Sequence, residues 1–185
     1  MAKLTLFHNF KYHQKMLKHV LFVIICSVLG LLVWILIRAS SEEVLALESP
    51  LPKLTFIDKM GNTEIIYQQG RMVLVLYFHR TCDHCQYQLE VLNTHCKDLS
   101  GLKIYLFTSE QNFFQEPIKW GRLQNAENIT FGIVNKNRFY KNFGTLVTPS
   151  IFIFDQAGSL TEKIHGEIKF EALLKEISGI HQIQE

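Results

Sequence analysis

The run Met72-Val73-Leu74-Val75-Leu76-Tyr77-Phe78-His79-Arg80-Thr81-Cys82-Asp83-His84-Cys85 decides how this chain folds. Its first half is apolar and uncharged, and reads as a buried strand. Two cysteines separated by two residues follow and open a helix. A strand that delivers a thiol to a helix N-terminus makes that thiol acidic and reactive, because unpaired backbone N–H groups and the helix dipole favour the thiolate. The pair can also close into a disulfide across one helical turn. Such a site can exchange two electrons with another disulfide.

Toward the start of the chain, residues 20–37 run from Val20 to Ile37 without a charge. As a helix they span roughly 27 Å, enough for the hydrocarbon layer of a bilayer. A signal peptide has a shorter apolar region of roughly 7–15 residues with a cleavage site close behind. Here Arg38 ends the run, and the nearest small-residue pattern, Val44-Leu45-Ala46, lies well downstream, so an uncleaved anchor is expected. Lys3, Lys11, Lys15, Lys18 and Arg38 are the only formal charges in residues 1–38; with a chain total of +2, residues 39–185 are net −3. The positive-inside rule then keeps the N-terminus in the cytoplasm and puts the rest outside the cytoplasmic membrane, with Trp34 near the outer interface. That side is oxidising, which permits disulfide chemistry. The expected organisation is a cytoplasmic segment over 1–19, a transmembrane helix over 20–37, a tether over 38–51 and one folded domain over 52–185. The domain has no basic stripe or stacked aromatic platform, so nucleic acid is not expected as a partner.

Within that domain, Leu54–Ile57 and Thr63–Tyr67 read as short strands around a Lys59-Met60-Gly61-Asn62 turn. After strand 72–78, Cys85, Leu89, Leu92, Cys96 and Leu99 form one apolar helical stripe that ends at Ser100-Gly101. Then come strand Leu102–Phe107, a helix within 110–124, strand Ile129–Val134 and a short helix over 136–143. Strands Ser150–Asp155 and Leu160–His165 flank a Gln156–Ser159 turn, and a helix over 168–178 closes the chain. Strands alternating with helices, then a hairpin and a helix, imply an α/β architecture with a central mixed sheet covered on both faces.

The segment Phe143-Gly144-Thr145-Leu146-Val147-Thr148-Pro149-Ser150-Ile151-Phe152 puts a Thr-Pro step at the start of a second apolar strand. Together with a C-x-x-C between strand and helix, this resembles the thioredoxin-like superfamily over residues 52–180. Within it the chain is most similar to the membrane-anchored TlpA/ResA-like thiol–disulfide oxidoreductases. The shared features are the N-terminal hairpin, the long interval from motif to proline and the Thr before the proline. The stretch Tyr77–Gln86 also looks like the redoxin domains common in Bacteroidetes-type bacteria. The resemblance implies a thioredoxin fold with Cys82 as attacking nucleophile and Cys85 as resolving thiol. It also implies that the backbone of Thr148 and a cis Pro149 holds the substrate chain, the cis bond keeping metals from the thiols. It implies no cofactor, cysteine-containing protein substrates, and a membrane partner that shuttles electrons. Maturation of cytochrome c apoproteins, or keeping outer cysteines reduced, would follow by the same route.

Asp83 and His84 tune the pair. A protonated His84 favours the Cys82 thiolate by charge and hydrogen bonding, and the Asp83 carboxylate opposes it. The expected balance is a pair less reducing than thioredoxin's, short of an extreme oxidant. The chain departs from the TlpA/ResA-like pattern twice: Thr81 stands where a Trp precedes the first cysteine, and Gln88 where a Glu follows the second. Glu90 lies about 140° around the helix from Cys85, a poor substitute base. No acid–base partner for Cys85 is identified.

Cys26 falls in the apolar span. Cys96 is about 16 Å of helical rise from Cys85, whereas a disulfide needs Cα atoms within about 7 Å, so Cys96 reads as a core residue. His79 and His95 read as loop or surface residues, with no metal site expected, and Asn128-Ile129-Thr130 as the start of a strand. Two other functions fit the fold. A peroxiredoxin-type peroxidase needs a Thr three residues before its cysteine, where this chain has His79. A Sco-like copper-binding chaperone spaces its cysteines by three residues and adds a distant histidine, for which His165 and His181 are the candidates.

Overall fold

The computed structural model describes residues 18–35, 45–67 and 70–183, with side chains through residue 180. The chain divides into two units, Met1–Glu42 and Glu43–Glu185. In the first, α1 (Lys18–Ile35) is a single helix with a mean hydropathy of 2.3, none of it buried in protein. Its length and composition suffice to cross a membrane. Most of the expected cytoplasmic segment, the last two residues of the expected span and the first part of the tether lie outside the described residues.

The second unit holds β1 (Thr55–Ile57), β2 (Thr63–Ile65), β3 (Val73–Tyr77), α2 (Asp83–Thr94) and β4 (Lys103–Thr108). A 3-10 turn (Phe113–Gln115) follows, then α3 (Gly121–Asn125), β5 (Ile129–Val134), α4 (Lys136–Phe143), β6 (Ser150–Phe154), β7 (Leu160–His165) and α5 (Phe170–Ile183). The strands form one mixed sheet in the order β2-β1-β5-β4-β3-β6-β7. β3, β4 and β5 run parallel; β6 lies antiparallel to β3, and β1 antiparallel to β5.

Alternation along β3 builds two cores. Leu74 and Leu76 join Cys85, Leu89 and Leu92 of α2 and Leu173 of α5 on one face. Val73, Val75 and Tyr77 join Phe139 and Phe143 of α4 on the other. Tyr77 stacks on Phe139 with ring centroids 4.1 Å apart. β5 fits under this second face only because position 132 is glycine: a Cβ there would stand 2.5 Å from Phe56 Cδ2 and 2.9 Å from Phe107 Cε1. Residues 45–51, read from sequence as tether, bond to the far hairpin, with Glu48 N–H donating to Leu160 O at 2.7 Å and Leu51 N–H to Gly158 O at 2.8 Å.

Three helices differ from the sequence reading. α5 runs on to Ile183, past the end expected at 178. α2 stops at Thr94, and the chain goes on in tight turns, His95 O accepting from Asp98 N–H at 3.0 Å and Leu99 O from Leu102 N–H at 3.1 Å. These turns keep Cys96 and Leu99 on the core face, so the apolar stripe outlasts the helix. The helix expected within 110–124 is split into the 3-10 turn and α3 around Pro117. Proline has no N–H to donate and keeps the residue before it out of helical geometry.

Candidate functional site

β3 runs on by one residue, Phe78 N–H donating to Phe107 O at 2.9 Å, and the chain then turns, with Cys82 N–H on His79 O at 3.2 Å. Cys82 is the N-cap of α2, its backbone extended at φ −84° and ψ 117°. Its Sγ accepts the Cys85 N–H at 3.3 Å. The sulfur thus holds one of the helix's unpaired donors, the position where a thiolate is favoured.

Cys85 differs from it in burial and acidity. It is fully buried on the core face of α2. Its Sγ accepts the His79 N–H at 3.5 Å. Burial, and next the hydrogen bond with Cys82, push the Cys85 thiol from the ordinary 9.0 up to about 12. Cys82, in contrast, is half-buried, and both are free thiols.

Tyr77 on β3 pairs with Ser150 on β6, so the residues that follow one and precede the other emerge at the same edge of the sheet. There the Thr148-Pro149 peptide is cis. The Thr148 carbonyl lies 3.6 Å from Cys82 Sγ. The proline loop is braced from within: Ser150 Oγ donates to Val147 O at 2.8 Å and contacts His165 Nδ1 at 2.9 Å. With its proton given to the carbonyl, the hydroxyl accepts from His165, which places that ring's hydrogen on Nδ1.

A second brace lies under the loop that leads to Cys82. Glu110 takes the Arg80 N–H at 2.7 Å and the Thr108 hydroxyl at 3.1 Å on one oxygen. Its other oxygen stands 3.7 Å from His79 Nε2, and His79 Nδ1 lies 3.0 Å from Thr81 Oγ1. The Arg80 guanidinium pairs with Glu116, donates to Phe113 O and covers the Phe113 ring at 4.9 Å. Beside it, Arg80, Thr81, Phe113, Pro117 and Trp120 line a cleft of about 320 Å³.

The remaining expected residues take separate positions. Asp83 is exposed at the first helical position. The hydrogen bond of the His84 ring goes to Glu167 Oε2, 2.9 Å from Nδ1, rather than to a sulfur. Gln88 is fully buried and accepts the Ile168 N–H at 2.8 Å through Oε1. Cys96 is a core residue, and His95 stacks on Phe170 and meets Asp98. Among the described residues, no three His, Cys, Asp or Glu side chains gather as a metal-ligating group. Sequence reasoning missed Glu110 and Glu167, whose partners at the site lie 30 and 83 residues away along the chain. No local pattern carries that information.

The chain matches no family model and no curated protein. Solved structures do match. A peroxiredoxin-like protein from Aquifex aeolicus aligns with TM-score 0.60 at 13% identity, over 74% of this chain and 88% of its own. The thioredoxin domain of a thiol–disulfide oxidoreductase from Bacteroides vulgatus aligns with TM-score 0.54 at 20% identity, over 73% and 97%. StoA from Bacillus subtilis aligns with TM-score 0.52 at 15% identity, over 69% and 99%. The second unit of this chain has the thioredoxin fold.

Proposed function

We propose that this chain is a membrane-anchored, extracytoplasmic thiol–disulfide oxidoreductase that exchanges disulfides with cysteine-containing protein substrates through Cys82 and Cys85. The observation that carries the reading is the asymmetry of the pair. One sulfur is open and capped by a helix N–H, and the other is buried and held as a thiol.

The chemistry follows from that asymmetry. The Cys82 thiolate attacks one sulfur of a substrate disulfide, and the other substrate sulfur leaves as a thiolate that takes up a proton. The interactions with Cys82 that hold up the Cys85 thiol end once Cys82 is in the mixed disulfide, which leaves burial as the main obstacle to its ionisation. Cys85 then loses its proton, attacks Cys82 Sγ, and closes the Cys82–Cys85 disulfide as the second substrate thiolate departs. Two electrons pass to the substrate; run backwards, the same steps oxidise a substrate dithiol. The Thr148 carbonyl and Pro149 offer an edge for the substrate backbone, and the cleft by Thr81 offers room for a neighbouring side chain.

Support for the setting comes from α1, with its membrane-spanning length, and from the lysines that precede it. Electrons would be restored or removed by a membrane partner. The test is a trap in the native membrane: Cys85→Ala is expected to accumulate mixed disulfides with other proteins through Cys82, and Cys82→Ala to accumulate none. An absence of Cys82-linked adducts in the Cys85→Ala chain overturns the reading.

A further inference from the structure

We infer that Glu167 is a positioning residue that sets how oxidising the Cys82–Cys85 pair is, by holding the His84 ring off the Cys82 sulfur. The inference rests on the redox function proposed above. His84 sits between the two cysteines, where a protonated ring can favour the Cys82 thiolate by charge and hydrogen bonding. Yet its Nδ1 lies 2.9 Å from Glu167 Oε2. A carboxylate accepts only, so Nδ1 carries the hydrogen and directs it at Glu167. The hydrogen bond Cys82 Sγ receives comes from the Cys85 N–H instead.

Glu167 is held at that spot by its neighbours on both sides. Gly166, at φ +96°, donates its N–H to Pro149 O at 2.8 Å. Ile168 donates its N–H to Gln88 Oε1, also at 2.8 Å. The segment before α5 thus runs from the proline loop to α2 and presents a carboxylate to His84 on the way. It also accounts for Gln88, which stands where the sequence resemblance expects a glutamate. A carboxamide has no carboxyl proton to exchange with Cys85, and its oxygen is occupied as a strut for the Glu167 segment. Its buried Nε2 has no partner.

The carboxylate of Glu167 and the thiolate of Cys82 therefore compete for the Nδ1 hydrogen of His84. Asp83 precedes His84 along α2, and Glu167 faces the ring from the segment before α5. With Glu167 in place, His84 serves the surface pair. Without the carboxylate, the ring is free to stabilise the thiolate, which favours the reduced state and makes the pair a stronger oxidant. Side-chain exposures of 72% for His84 and 41% for Glu167 keep the effect modest. An exposed ion pair is worth at most about a fivefold change in an equilibrium.

The test uses the full chain in detergent, equilibrated in glutathione buffers. The Cys82–Cys85 disulfide and two glutathione thiols interconvert there with the dithiol and glutathione disulfide. Glu167→Gln keeps the side chain's shape and is expected to shift this equilibrium about two- to fivefold toward the dithiol, and to speed alkylation of Cys82 at neutral pH. In a His84→Gln background the same substitution is expected to change neither. An unshifted Glu167→Gln chain, or an equal shift in both backgrounds, overturns the inference while leaving the redox function standing. An unmutated chain that forms no Cys82–Cys85 disulfide at any glutathione ratio overturns the function itself.

Discussion

Cys85 is the residue whose protonation the fold controls most firmly, and the consequence has a sign. Its thiol ionises near 9.0 when the chain is unfolded and at about 12 when folded. Between those values the unfolded chain has lost a proton that the folded chain keeps, so stability falls as pH rises. The contribution is complete below pH 9 and is lost progressively toward pH 12. Thermal melts of the reduced full chain from pH 8 to 11 are expected to show this slope, and Cys85→Ala to show a shallower one that sets in later, since burial also raises Tyr77 and Tyr105 above their ordinary 10.0. Glu110 makes a second prediction. Glu110→Ala strands the Arg80 N–H and the Thr108 hydroxyl, at a cost of about 1–3 kcal/mol in denaturant titrations. The cysteines and the proline were legible in sequence because each is marked by its immediate neighbours: a strand before the thiols, an apolar run after the proline. Glu110 and Glu167 were not, since each acts across a fold that brings distant segments together.

Elements were read best where an apolar period was long and no backbone rule interfered. β3, β5 and α4 lie where their patterns put them. The reading failed at α2, whose stripe continues into turns: Cys96 and Leu99 meet the core at helical spacing after the helix has ended. It failed again around Pro117, which has no N–H to donate and divides the single helix expected within 110–124. Two substitutions test how these elements are locked together. Gly132→Ala drives a methyl against the Phe56 and Phe107 rings, and is expected to destabilise the fold by about 1–3 kcal/mol. Gln88→Leu leaves the Ile168 N–H without its acceptor. Hydrogen exchange at Ile168 is expected to quicken in that variant while the amides of β3 keep their protection.

At the scale of the whole chain, the class of architecture was legible and the strand order was not. Alternating strands and helices imply a mixed sheet, but no local pattern places the N-terminal hairpin beside β5 or β6 beside β3. Those neighbours are chosen by which apolar faces meet. The orientation proposed from the lysines before α1 is open to a direct check. In intact cells a membrane-impermeant maleimide is expected to label Cys82 without permeabilisation, and labelling only after lysis would reverse the topology. β3 and β6 meet in a register that sets Tyr77 opposite Ser150. The thiol and the proline ridge face each other because two remote stretches were measured out to matching lengths, and a single residue gained or lost between Thr145 and Ser150 would put them out of step. Spelling can drift there more freely than tally. A library of one-codon insertions and deletions should find that stretch nearly closed to change, while the solvent-facing bend at Lys59–Asn62 absorbs them.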